Sequence, residues 1–468
     1  MEQNKNRKHL PPNLTNFINS FREIGYTCEV AIADILDNSI SANSSVIKIF
    51  ALESPTRKIS IFDNGDGMNS SELDEAMRLS SKNSLEERDL KDLGRFGLGL
   101  KVATFSQCKK LTVFSKELNG KINGLQWDLD YIATTNEWYA IIPDFESYYE
   151  ENQILTDQKS GTIVIWEEID KFNSVGFKDE VNNLFNHLGL VFHKFLEGVN
   201  GRKLSILING NLITPINPFF PGSARQQLQH YDYQYPGGKV SVTPYILPHH
   251  SNVSEVDYKK HALNDGYLKT QGFYLYRNNR LVTWGNWWGL AMPTEALKLI
   301  RIEIQIPNSM DAEWSIDLKK SSAKPPLYFK QELKKVLDYV SPVGKRVYSG
   351  RIIRKDRNNL IHLWDYVKRR DESNRNILKI NRNHPFIELL KHHCSEEGNI
   401  ILHTLLIGIE QFLPIETLIS QLISNPKELD QKSEEEEFKH YLELILNDKT
   451  LDLEQKAQLL KTEFYKND

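Results

Sequence analysis

The chain has 468 residues, of which 40% are hydrophobic and 26% charged, and its net charge is −4, enough for two or three domains with sizeable cores. No stretch reaches the roughly 18–20 apolar residues of a membrane span, and the polar N-terminus lacks the apolar segment of a secretory signal. Cys28, Cys108 and Cys394 stand too far apart for a disulfide framework or a zinc site, so a soluble, reduced, cytoplasmic protein without a membrane partner is expected.

In chain order, residues 14–43 read as two helices, one ending near Gly25 and the other covering about 28–42. SVIKIFAL (45–52) and RKISIFDN (57–64) alternate as paired strands, and SSELDEAMRL (70–79) starts like a capped helix. A polar stretch then leads into LGRFGLGLKVATFSQC, followed by strand patterns at 110–116, 122–131, 138–143 and 161–168. Helices interleaved with a mostly antiparallel sheet are predicted, and regular βαβ repeats are not. A helix at about 179–199 precedes a second set of strands: KLSILING (203–210), KVSVTPYIL, GFYLYRNNRLVTW and LIRIEIQIP. From about 327 the chain reads as helical, with a mobile or partner-dependent tail expected from Asn425.

Charge is unevenly placed in this last third. Between Lys345 and Arg382 there are twelve Lys/Arg against four Asp/Glu, and an SEEEE run follows at 433–437. Arg351, Arg354, Lys355 and Arg357 make the basic block a nucleic-acid candidate, and pairing with the acidic tail is the plainer reading. The tryptophans 284, 287 and 288 read as core, and His392-His393-Cys394 as a helix end rather than a metal site.

Three segments carry chemistry together. The first is AIADILDNSI (31–40), where Asp34 and Asn38 lie four apart on one helix face. The second is Asp63-Asn64-Gly65-Asp66-Gly67-Met68, directly after a strand, where an acid can accept from an exocyclic amine and glycines let the backbone approach a base. The third is Gly94-Arg95-Phe96-Gly97-Leu98-Gly99-Leu100-Lys101, a glycine-rich loop opening a helix, which offers N–H groups and an ammonium to phosphates. An amide is a suitable oxygen ligand for Mg²⁺, and a carboxylate one turn earlier can orient water toward a γ-phosphorus. Each pattern alone also fits a turn, a cap or a solvated stripe, but their order and spacing make the set specific.

These motifs resemble those of the GHKL ATPases, the superfamily of gyrase B, the 90-kDa heat-shock chaperone, histidine kinases and MutL, over roughly residues 14–200. The resemblance implies that Asn38 is the magnesium ligand and Asp63 the adenine-reading acid. It also implies that Gly65, Gly67 and Met68 lie by the base, that Gly94, Gly97 and Gly99 belong to the phosphate lid beside Lys101, and that Thr162 supports Asp63. Asp34 stands where hydrolysing members usually carry Glu, one methylene longer, which implies slow turnover.

YLYRNNRLVTWGNWWGL resembles microrchidia (MORC)-like proteins and their prokaryotic relatives. In that group a basic residue of the second domain reaches the γ-phosphate, which places Lys320 first and Lys319 second as catalytic cations. The fold class implied is α+β: a Bergerat-fold ATP-binding α/β sandwich (1–200), an S5-like transducer domain (201–326) and a helical C-terminal region (327–468) with a basic connector and an acidic tail. The function implied is a Mg²⁺-dependent ATPase that forms a homodimer on binding ATP and clamps DNA or a protein partner, the latter through the C-terminal helices, with bacterial antiphage defence as an extension. The alternative is a nucleotide-gated scaffold or chaperone-like protein with little hydrolysis.

Overall fold

The computed structural model describes residues 13–23, 25–79, 99–171, 176–199, 201, 203–220, 222, 226–248, 253–263, 265–317, 319–349, 360–368, 376–415 and 435–465. The chain divides into two compact units, 1–349 and 350–468.

The first unit contains two sheets. Helices α1 (Leu14–Arg22) and α2 (Cys28–Ser41) precede strands β1 (Val46–Leu52) and β2 (Lys58–Asp63), and α3 (Ser70–Met77) and α4 (Gly99–Phe105) precede β3 (Cys108–Lys116) and β4 (Ile122–Asp128). Then come α5 (Leu129–Thr135), α6 (Tyr149–Thr156), β5 (Gly161–Ile169), α7 (Phe177–Val191), α8 (His193–Glu197), β6 (Ser205–Ile208) and β7 (Asn211–Leu212). The strands form a seven-stranded sheet in the order β4-β3-β5-β2-β1-β6-β7, antiparallel throughout except for the parallel β1–β6 pair. Period-two alternation divides its side chains between two layers. Ile47, Ile49, Ile59, Ile61, Leu111, Val113, Val164 and Trp166 pack under the α2 layer, while Phe62, Phe114, Ile163 and Ile165 meet Tyr148 and Leu155 on the opposite face.

Two expectations change here. The stretch 138–143 is not a strand: its one backbone bridge to the sheet runs from Ile141 to Gln126, while Trp138 packs on Trp127, and Asp128 caps α5 where the preceding strand was expected to run on to 131. The strand at 205–208, expected with the second set of strands, joins the first sheet instead. Ile206 and Ile208 are buried in the first core, and β6 extends the first sheet alongside β1.

The second sheet is built from β8 (Gln226–Gln227), β9 (Tyr231–Tyr235), β10 (Gly238–Ile246), β11 (Gly272–Arg277), β12 (Arg280–Asn286) and β13 (Ile300–Ile306), with α9 (Glu255–Ala262) and α10 (Gly266–Lys269) between β10 and β11. Its path is β12-β11-β13-β10-β8, with β9 pairing β10. Asn278 and Asn279, both left-handed at φ 48° and 70°, close the two-residue turn of the β11–β12 hairpin. Trp287 lies in this core and Trp288 stacks on Phe273. The long helix α11 (Leu327–Ser349) buries Phe329, Leu333, Val336, Leu337 and Val340 against the same core, so the first unit runs past 326.

In the second unit the basic connector holds an antiparallel hairpin, β14 (Trp364–Lys368) with β15 (Asn376–Ile380), rather than helix. Helices α12 (Pro385–His393) and α13 (Glu396–Gln411) follow, then helices Glu435–Leu446 and Leu453–Leu459. His392 and His393 are exposed at the end of α12. Among the described residues no helix is long and apolar enough to cross a membrane. Arg351, Arg354, Lys355 and Arg357 lie outside the described residues, as does most of the stretch from Asn425 to the acidic run.

Candidate functional site

Helix α2 is buried nearly all round, as expected of a central helix. Asn38 is the exception: it is exposed, and its side-chain amide has no hydrogen-bond partner among the described residues. Asp34, a turn before Asn38, and Asp37, the residue immediately before it, are both buried. One residue on, the Ser39 hydroxyl donates to Asp63 at 2.8 Å and ties α2 to the end of β2.

Asp63 is itself buried, with its other oxygen accepting from Gly65 N–H at 2.9 Å. Burial pushes its carboxyl up to about 6, while the Gly65 and Ser39 donors pull the other way. The loop that follows is shaped by close approach. A Cβ on Gly65 would lie 2.6 Å from the Ala42 carbonyl oxygen, and one on Gly67 (φ +71°) 1.8 Å from that of Lys116. Met68 N–H donates to Ser115 Oγ at 2.9 Å, and Ser115 Oγ lies 2.8 Å from Thr162 Oγ1. Thr162 pairs with Asp63 across the β2–β5 ladder. The sequence reading named Thr162 and missed Ser39, Ser115 and Gly161. At Gly161 a Cβ would sit 2.3 Å from the Asp63 carbonyl oxygen, and the glycine preceding a strand run was the available signal.

At the opposite end, α4 opens at Gly99 and carries Lys101, whose buried ammonium burial pushes down to about 8, with Glu75 opposing. Gly94, Arg95, Phe96, Gly97 and Leu98 lie outside the described residues.

Asp34 and Asp37 are met by two cations from the second sheet and the loop after it. Lys320 Nζ lies 2.7 Å from Asp37 and 3.2 Å from Asp34, and Arg280 Nε lies 3.1 and 3.0 Å from the two Asp37 oxygens. The Tyr26 hydroxyl donates to the other Asp34 oxygen at 3.0 Å. Burial raises the Asp34 carboxyl above its ordinary value, and Lys320 opposes that rise most strongly. Lys319 is directed elsewhere, donating to the Gly25 carbonyl at 2.9 Å. Arg280 was missed by sequence reading, although an arginine inside the apolar run GFYLYRNNRLVTW was the visible cue.

The arrangement thus gathers a buried acid beside backbone-exposing glycines, an exposed amide, an ammonium at a helix start and an acid met by a cation. Among the described residues no three His, Cys, Asp or Glu side chains are grouped to hold a metal on their own. An exposed amide without a partner among the described residues fits a Mg²⁺ that would draw its remaining ligands from phosphate and water.

No curated protein matches the chain. Residues 26–162, which carry Asp34, Asn38, Asp63, Lys101 and Thr162, match the family described as histidine kinase-, DNA gyrase B-, and HSP90-like ATPase.

Proposed function

We propose that the protein is a MORC-like, Mg²⁺-dependent ATPase in which nucleotide binding at the GHKL domain changes how the second sheet engages it. The observation that carries this reading is the Lys320 ammonium, which comes from outside the matched stretch and contacts Asp34 and Asp37 of the helix that also bears Asn38. Asp63 accepts the adenine amine, and Gly65 and Gly67 admit the base edge. Lys101 and the glycine-rich lid receive the phosphates. Asn38 would hold Mg²⁺, whose charge would offset that of the phosphate oxygens. Asp34 orients water and accepts its proton, and Lys320 moves to the terminal phosphate. In this cycle ATP pairs two copies of the chain as an S5-like transducer rearranges. The closed pair clamps DNA or a protein partner, and antiphage defence is a role that suits such a clamp.

A specific observation favours a second reading, a nucleotide-gated scaffold with little hydrolysis. Asp34 is buried and already engaged by Lys320 and Tyr26, and its side chain is the shorter acid. Phosphate release by wild type and Asp34→Asn, with mass measured with and without a non-hydrolysable ATP analogue, separates the readings. The ATPase reading expects a doubling of mass with the analogue and at least about a hundredfold loss of turnover in Asp34→Asn. Equal silence of both proteins with intact doubling selects the scaffold. For DNA, retention in a mobility assay should fall steeply with salt and be lost when Arg354, Lys355 and Arg357 are reversed to Glu.

A further inference from the structure

Arg280 opens β12 immediately after the Asn278-Asn279 turn, and its buried guanidinium reaches beyond its own sheet to three other parts of the molecule: α2, the Lys320 turn and Phe192. Its Nε faces both Asp37 oxygens at 3.1 and 3.0 Å, and one terminal nitrogen donates to the Lys320 carbonyl at 3.1 Å and the Leu281 carbonyl at 3.2 Å. The other terminal nitrogen is 3.7 Å from Asp34, and the guanidinium carbon lies 6.0 Å from the Phe192 ring centroid, at the junction of α7 and α8.

Lys320 is held differently. Its backbone is left-handed at φ +50° within a turn organised by Asp317, which accepts from Ser321 and Ser322 N–H at 2.8 and 3.0 Å. Its ammonium touches the two acids, whereas its carbonyl is gripped by Arg280. Arg280 and Lys320 also line a cavity of about 300 Å³ with Val30, His187 and Trp284, so the lysine is not packed solidly on every side.

We propose that Arg280 is a positioning residue: it clamps the backbone of the Lys320 turn to α2 while leaving the Lys320 ammonium free to change partners. The remaining partners support this division. When the ammonium departs, Asp37 keeps the Arg280 Nε donor, and Asp34 keeps the Tyr26 hydroxyl with the Arg280 guanidinium 3.7 Å away, so each buried acid retains a donor or a nearby cation. Lys320 therefore caps Asp34 in this arrangement, and its departure toward the terminal phosphate would uncover that acid in the same movement. The last step rests on the ATPase reading above, whereas the clamp itself does not.

The test uses full-length protein and amine acetylation read by mass spectrometry at Lys320, with melting temperature measured in parallel. Wild type without nucleotide should be slow to acetylate there. Arg280→Met should raise the rate at least about fivefold while the protein still melts cooperatively, and Arg280→Lys, which cannot span Asp37 and the Lys320 carbonyl together, should not restore protection. Arg277→Met, which removes the buried pair of the same hairpin with Asp311, is the control for general loosening and should leave Lys320 protected. If Arg280→Met does not melt cooperatively, Arg280→Lys gives the deciding rate. Protection retained in the folded Arg280 variants, or lost equally in Arg277→Met, overturns the proposal. If wild type hydrolyses ATP, kcat should also fall at least about tenfold in Arg280→Lys, with KM within about threefold; an unchanged kcat overturns the positioning role. A wild type that neither binds nor hydrolyses ATP sinks the ATPase reading and leaves the acetylation result decisive for the clamp.

Discussion

Asp63 is 5% exposed and has only hydrogen-bond donors, no cation, to offset its burial among the contacts described. With its carboxyl raised to about 6, it gains a proton across a range in which ordinary aspartates stay ionised. An adenine amine needs the ionised form as acceptor, so nucleotide affinity should fall about tenfold between pH 7 and pH 5, and Asp63→Asn should bind weakly without that slope. A fluorescent ATP analogue titrated across this range checks it. The stability sign is opposite. A raised folded-state value contributes stability that is present at low pH and lost as pH rises through about 6, so Asp63 makes the unliganded protein firmer where it binds less well. Gly67→Ala tests the neighbouring turn. A methyl 1.8 Å from the Lys116 oxygen at a left-handed φ should cost about 3 kcal/mol in a denaturant melt.

Helix α2 joins the pieces of the site, and it was also the most legible element. Acid and amide four apart in an otherwise apolar run are a local pattern, and so are a DNGDG turn after an alternating strand and a glycine loop before a helix. What sequence reading missed is non-local. Arg280 meets Asp37 across 243 positions, and nothing near either residue records the pairing. The alternation at 138–143 also misled, because Ile141 gains only one bridge before Pro143 removes a donor. Two substitutions read the element itself. Leu36→Ala, at a fully buried site, should cost about 3 kcal/mol in the melt. Ser39→Ala removes a donor to the Asp63 carboxylate, so the midpoint of the pH-dependent binding should move above 6.

At the scale of the whole molecule, the first unit is joined by charge as well as by packing. Two acids on α2 face two cations carried by the second sheet and the loop after it, all buried. Because such a cluster is costly when half removed, Asp37→Asn should destabilise the first unit by about 3 kcal/mol, more than an exposed charge change would. Calorimetry would show that loss as a lower first-unit transition, and an unchanged melt would contradict it.

The placement of β6 also decides where the chain tolerates being cut. A fragment ending at residue 200 discards the strand that pairs with Val46–Ile49, leaving a hydrophobic β1 margin with vacant backbone donors and acceptors. Such a fragment should precipitate or self-associate through that margin. One ending beyond Leu212 retains both β6 and the short β7 that finishes the sheet, so self-association through that margin should be lost.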